Sequence, residues 1–447
     1  MPSKTYPHPE EAQRGVSKDA GRWCSRAYSA KVSDRLIAAL FAVLAAASPT
    51  FAAELPARWV ELGADGALSV RAAAPPGTPC PTVDADGTAV AGSPRGAPDG
   101  AFPLQICEAR VPAATARLSL DGVALPTLPA TVRRIAVIGD TGCRIAGRAA
   151  QDCRDPAAWP FPAIAKAAAA RRPDLVIHLG DYYYREKACP AGRAGCAGSP
   201  YGDSWRTWQA DLFEPAAPLF AAAPWVVVRG NHELCRRGGP GWFRLLDPYP
   251  ARPADPGHAD CADLTEPYLL SVGGLDLLLF DGADADDFLS PPDKVAVYAG
   301  QLAPLLAKAP PHAWLLTHRP VWAMAQGELS GLTTNQTEQA AIRGHVPPAL
   351  VLVLSGHLHD FLSYEFGPEH PAQLIVGTGG DTLLPLGRAP IVGAEIDGMI
   401  VQKGFAAERF GYFIMERAAA GWDGTLYAPD NTVIARCRLG GREIECR

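Results

Sequence analysis

The stretch 135–142, IAVIGDTG, is answered downstream by 175–184, LVIHLGDYYY. In each, a short apolar run rich in β-branched residues ends abruptly in Gly-Asp. Runs of that length fit strands buried on both faces, since solvated strands alternate apolar with polar residues. Four more runs follow: WVVVRGN at 225–231, LLLFDG at 277–282, WLLTH at 314–318 and LVLVLSGH at 350–357. Helical candidates lie between several of them, at 157–170, 204–222 and 300–309. Buried strands alternating with helices predict an α/β domain over 132–447. The tail adds strand-like runs at 412–416 and 432–438.

Upstream the pattern differs. Short alternating runs at 58–62, 67–71, 107–111 and 116–120 are separated by Gly, Pro and Asp. They predict a small N-terminal β domain, sandwich-like, over 54–131.

Residues 1–53 read as a signal-peptide region. Lys31 and Arg35 precede an apolar run, Leu36–Ala47, which ends in the small-residue site Thr50-Phe51-Ala52-Ala53. The run is short for a membrane span. An uncleaved anchor or a buried helix is the other reading. The chain has eleven cysteines. Cys24 leaves with the signal, and ten remain as sequence neighbours: 80/107, 143/153, 189/196, 235/261 and 437/446. An even number in an exported chain predicts disulfides, with sequential pairing as the expectation and a periplasmic or secreted location.

The 447 residues are 48% hydrophobic and 20% charged, with net charge −6. That is a globular composition without a nucleic-acid footprint, so no nucleic-acid partner is expected except as a phosphoester substrate. No membrane span is expected after signal cleavage.

Polar residues at the strand ends form a set. They are Asp140, Asp181, Tyr184 three residues on, Asn231 and His232, His318, and the pair His357 and His359. Ligands of open α/β sheets gather at the carboxyl ends of strands. Two carboxylates, a phenol, an amide and imidazoles, with no thiolate, suit iron, zinc or manganese. Seven protein groups exceed what one ion normally takes, so two ions sharing a carboxylate are expected. Paired ions suit phosphoryl transfer.

The blocks Gly139-Asp140, Gly180-Asp181-Tyr182-Tyr183-Tyr184, Gly230-Asn231-His232-Glu233, Thr317-His318 and Gly356-His357-Leu358-His359 occur in the order of the calcineurin-like metallophosphoesterases. Over roughly 132–380 the chain resembles the purple acid phosphatase branch of that superfamily. Most of the superfamily has a His two residues after the first Asp. Here that position is Gly142, and Tyr184 stands where the branch places an iron-bound tyrosinate.

The resemblance implies a sandwich of mixed β-sheets flanked by helices. It implies Fe(III) bound by Asp140, Tyr184 and His359, and a divalent Fe, Zn or Mn ion bound by Asn231, His318 and His357, with Asp181 bridging. It further implies acid-phosphatase-like hydrolysis of phosphate monoesters by a metal-bound hydroxide. His232 is then the group that contacts phosphate or protonates the leaving group, with Glu233 orienting it and Arg319 contacting a phosphate oxygen. A phosphodiesterase on the same site and a non-catalytic binding protein are the competing readings.

Other features carry less. His178 and His312 read as structural, and Tyr182 and Tyr183 as packing. The run Asp284, Asp286, Asp287 reads as a solvated loop, with calcium as the minor alternative. Asn335 opens a glycosylation sequon. The glycine-rich stretch Gly377-Thr378-Gly379-Gly380 reads as a close approach of backbone to the site or as a plain turn. The insert 187–201, with Cys189 and Cys196, is a candidate pocket wall.

Overall fold

A computed structural model describes residues 55–250, 261–325, 329, 331–387 and 390–447. The signal-peptide region at 1–53 lies outside the described residues. The first sheet contains β1 (Ala57–Leu62), β2 (Leu68–Ala74), β3 (Gln105–Val111), β4 (Arg134–Ile138), β5 (Leu175–His178) and β6 (Trp225–Val227). Its central run β4-β5-β6-β1 is parallel, and β2 and β3 continue it antiparallel. The strand Tyr412–Ala418 and three strands after it extend the other edge, as the strand-like tail foretold. The second sheet is built on β7 (Leu275–Leu279), β8 (Ala313–Leu316), β9 (Leu350–Ser355) and β10 (Ala372–Val376), all parallel.

The alternation of side chains along each strand explains the layers. From β4 and β5, Ile135, Val137, Leu175 and Ile177 turn inward to meet Leu277, Leu279, Leu352, Leu354 and Leu374 of the second sheet. The intervening Ala136, Ile138 and Val176 face the other way, against Phe161, Ile164 and Ala168 of helix α1 (Phe161–Ala170). On the second sheet, Leu278, Leu315 and Val353 meet Leu302, Leu305 and Leu306 of helix α2 (Pro292–Leu306). Both sheets are thus covered on both faces, which is why their strands read as unbroken apolar runs.

The N-terminal β segment differs from its expected organisation. Its residues are all-β as read, but β1 pairs with β6 in parallel at Glu61–Trp225, so β1, β2 and β3 belong to the first sheet. The described residues pack as one unit. Only the four strands Thr82–Ala85, Thr88–Ala91, Leu118–Leu120 and Val123–Leu125 form a sheet apart. They pack through Val83, Leu118 and Leu120 onto the same inner core as β2 and β3, which is the sandwich-like part. Pairing of β1 with a strand more than 160 residues away leaves no mark on local periodicity. A buried ion network reinforces the junction. Arg71 pairs with Glu61 at 2.6 Å, Arg95 pairs with Glu108 at 2.8 Å, and both arginines donate to the main-chain carbonyl of Asp247.

The five disulfides pair sequence neighbours as expected: Cys80–Cys107, Cys143–Cys153, Cys189–Cys196, Cys235–Cys261 and Cys437–Cys446. Among the described residues, no helix is long and apolar enough to cross a membrane.

The sequon reads differently in the fold. Asn335 is fully buried, with φ 54°, and its side chain caps helix α3 (Gln336–Ile342) by accepting from the Glu338 amide at 3.2 Å. A glycan there would require this cap to open. Glu338 itself is buried, and burial pushes its carboxyl up to about 8. The folded form therefore holds a proton that the unfolded chain releases near pH 4.5. This contribution to stability is present below that pH and is lost progressively as pH rises to about 8. Glu338→Gln is expected to melt like the parent at pH 5 and to gain roughly 2–4 kcal/mol at pH 8. Denaturant titrations at the two pH values check this, and equal differences at both would reject it.

Candidate metal centre

The parallel strands of both sheets end at one place, and their trailing loops deliver the strand-end residues there. Asp140, Asp181 and His357 have positive φ, at 56°, 58° and 70°. Each follows a glycine. Non-glycine residues in that region carry strain and cluster at functional sites. Close approach explains the glycines. A Cβ on Gly180 would come 2.6 Å from His318 Nδ1, and one on Gly230 would collide with Asp181 Oδ1. Gly142 has a specific reason too. A Cβ there would sit 2.8 Å from the Tyr182 carbonyl and 2.9 Å from both the Tyr184 amide nitrogen and Tyr184 Cδ2, so position 142 has no room for a side chain against this loop.

The donor atoms converge. The Tyr184 hydroxyl lies 2.8 Å from Asp181 Oδ2, 3.1 Å from Asp140 Oδ1 and 3.0 Å from His359 Nε2. On the other side of Asp181, His318 Nε2 lies 3.3 Å from Oδ2 and 3.1 Å from Asn231 Oδ1. Two groups fall within metal-binding reach: Asp140, Asp181 and His359, and Asp181, His318 and His357. Asp181 is in both.

Tautomers follow from the outer partners. His318 Nδ1 is 2.7 Å from the Leu179 carbonyl and His359 Nδ1 is 2.9 Å from that of Thr382. Donation to those carbonyls leaves each Nε2 lone pair for the centre. His357 is reversed. Its Nε2 lies 3.2 Å from Asp287 Oδ2 and 2.8 Å from Arg319 Nη1, and donation from Nε2 to that carboxylate is what would leave the Nδ1 lone pair for a metal.

Electrostatics test the fit of a cation. Burial and then the neighbouring Asp181 raise the Asp140 carboxyl well above its usual range. Burial pushes Asp181 upward too, but His318 and His232 outweigh it and hold it well below. Burial and the same two carboxylates push the Tyr184 phenol up. Three oxygen donors thus share a buried site in which the charge on Asp181 opposes ionisation of the other two. A cation among them removes that repulsion, so the residues fit a metal.

His232 packs its ring on Tyr184 with centroids 3.8 Å apart, and its Nε2 is 3.7 Å from Asp181 Oδ2. Glu233 does not orient it. The Glu233 carboxylate instead accepts from the amides of Gly230, Asp181, Tyr182 and Tyr183 at 2.9–3.3 Å, tying the two metal-facing loops together. Glu186 takes the place expected of Glu233, with Oε1 3.0 Å from His232 Nδ1, and Arg237 contacts both. Arg319 reaches the site edge but is engaged with Asp287 Oδ2 at 2.6 Å and the Ala283 carbonyl at 3.2 Å.

The acidic run is not a solvated loop. Asp284 pairs with Lys294 and Arg236, and Asp286 accepts from the amides of Phe288 and Leu289. Asp287 faces the centre. Asp287, Asp381, Glu186 and Arg237 are the site residues missed in the sequence, where none follows an apolar strand directly. The glycine-rich stretch does bring backbone close: a Cβ on Gly377 would meet Asp140 Oδ2 at 3.0 Å, and the Gly379 amide donates to the Gly139 carbonyl. His178 is structural as read, held by Thr141 and stacked on Tyr182.

A sheet sandwich with strand-end carboxylates, histidines and an amide around one shared aspartate defines a metallophosphoesterase. The chain belongs to the calcineurin-like phosphoesterase family, which matches residues 133–361. That family uses two metal ions. Among solved structures, a purple acid phosphatase, PPD1, from yellow lupin (Lupinus luteus) seeds is similar, with TM-score 0.53 and 14% identity over 85% of this chain and 73% of that one. PhoD is similar with TM-score 0.50 and 13% identity over 89% of this chain and 93% of that one. At such identity the likeness is one of fold. No curated protein matches the sequence.

Proposed function

We propose that this protein hydrolyses phosphate monoesters at a binuclear centre held by Asp140, Asp181, Tyr184, Asn231, His318, His357 and His359. The observation that carries this reading is the sharing of Asp181 between two donor groups, with Tyr184 fitted against Gly142 in one of them. Asp140, Tyr184 and His359 form the oxygen-richer position, which suits Fe(III). Asn231, His318 and His357 suit a divalent Fe, Zn or Mn ion. Two ions so placed stabilise the attacking and leaving oxygens of an in-line displacement at phosphorus.

The chain's own groups do the rest. Asp181 holds the two positions together. The carbonyls of Leu179 and Thr382 fix the tautomers of His318 and His359. His232, beside Arg237 and with Glu186 3.0 Å from its Nδ1, is the group that gives a proton to the leaving oxygen. Arg237 and Arg319 supply positive charge at the rim for phosphate oxygens. The five disulfides support export to an oxidising compartment.

The test is turnover of an aryl phosphate monoester beside its diester from pH 4 to 8. Faster monoester hydrolysis with an acidic optimum is expected, and a diester preference would move the function to phosphodiesterase. Tyr184→Phe is expected to abolish a visible tyrosinate-to-iron absorption band. An unchanged band would refute iron at that position.

A further inference from the structure

Each metal position has an Arg–Asp pair behind its histidine. Behind His357, the Asp287 carboxylate lies 3.2 Å from Nε2 and 2.6 Å from Arg319 Nη1. Arg319 Nη1 is also 2.8 Å from His357 Nε2. The carboxylate accepts from Arg319 Nη1, and it also accepts from Nε2 when Nδ1 is turned to a metal. Its second oxygen, Oδ1, is buried with no hydrogen-bond partner.

Behind His359, Asp381 is buried with Oδ2 3.4 Å from Nδ1, and Arg144 grips it through Nε–Oδ1 at 2.9 Å and a second contact to Oδ2. Asp381 Oδ1 also accepts from the Thr382 amide at 2.6 Å, fixing the residue whose carbonyl holds His359. The Arg144 guanidinium lies 5.0 Å from the Tyr184 ring centroid, so it favours the anionic phenolate as well.

We infer that Asp287 and Asp381 are positioning residues that set metal affinity separately, Asp287 for the Asn231–His318–His357 position and Asp381 for the Asp140–Tyr184–His359 position. This rests on the binuclear reading above. A carboxylate behind a ligating histidine fixes its tautomer and raises its basicity, and its loss weakens metal binding by about 10–100-fold. The two pairs serve different donor groups and share no residue, so each substitution acts first on its own position.

The test loads the mature chain with Zn2+ and equilibrates it across chelator-buffered free Zn2+. Elemental analysis counts bound metal. The near-ultraviolet tyrosinate difference signal, identified by its absence in Tyr184→Phe, reports the Tyr184 position. Asp287→Asn is expected to keep that signal at parental affinity and to bind the other equivalent about 10–100-fold more weakly. Asp381→Asn is expected to do the converse. Arg319→Gln and Arg144→Gln should reproduce each pattern in weaker form, and they replace an Asn variant whose metal-free melting shows that it does not fold. Loss of both equivalents together in either variant, or parental affinity in both, would overturn the inference. Fewer than two equivalents on the parent protein would instead overturn the binuclear centre.

Discussion

Asp181→Asn is expected to purify with neither metal at its parental occupancy and to lose roughly 10³-fold or more in kcat/KM. The substitution removes charge while keeping the backbone. Asn tolerates the positive φ of 58° at this position, and its side-chain oxygen still accepts from the His232 amide, now 2.9 Å from Oδ1. What it removes is the only carboxylate common to both donor groups. Without it, the donors at Asp140 and those at His318 are left as two incomplete sites. Elemental analysis of the purified variant decides the matter. Two bound equivalents would reject Asp181 as the bridge, whatever happened to activity.

His232→Ala is expected to keep both metals and to lose about 10²–10⁴-fold in kcat, the range for a positioned proton donor. The loss should be graded. An alkyl phosphate leaves as a strongly basic alkoxide and needs the proton, whereas a nitrophenolate barely does. The ratio of alkyl to aryl turnover is therefore the informative readout. Equal losses on both would assign His232 to phosphate binding. Loss of metal would assign it to support of Asp181, which its backbone amide and ring both touch. Glu186→Gln should shift in the same direction by less, because Arg237 also contacts the ring.

The seven candidates that the structure brings together were legible because each ends an apolar strand or its loop, and the parallel strands of both sheets end at one place. The coupled exchange of Gly142 and Tyr184 was legible as a pattern, and in the structure a Cβ at 142 would meet the backbone of Tyr182 and Tyr184 as well as the phenol ring. The cysteine pairing followed from adjacency. Other residues were opaque. Glu233 sits beside His232 in the chain, yet its carboxylate turns to four loop amides, because those buried donors need an acceptor more than the imidazole does. Asp287 read as solvated from its acidic neighbours, but the fold places it against Arg319 and His357.

The sequence by itself determined which runs are strands in outline, a candidate donor set and the chemistry such donors favour, because local apolar runs and strand-end residues are short-range signals. Only the tertiary structure decided that β1 joins the first sheet, that Glu186 and not Glu233 stands behind His232, and that Arg–Asp pairs stand behind His357 and His359. Those contacts join residues about 20 to 240 positions apart. They form only after burial makes an unpaired charge costly, and no local pattern records which partner ends the search.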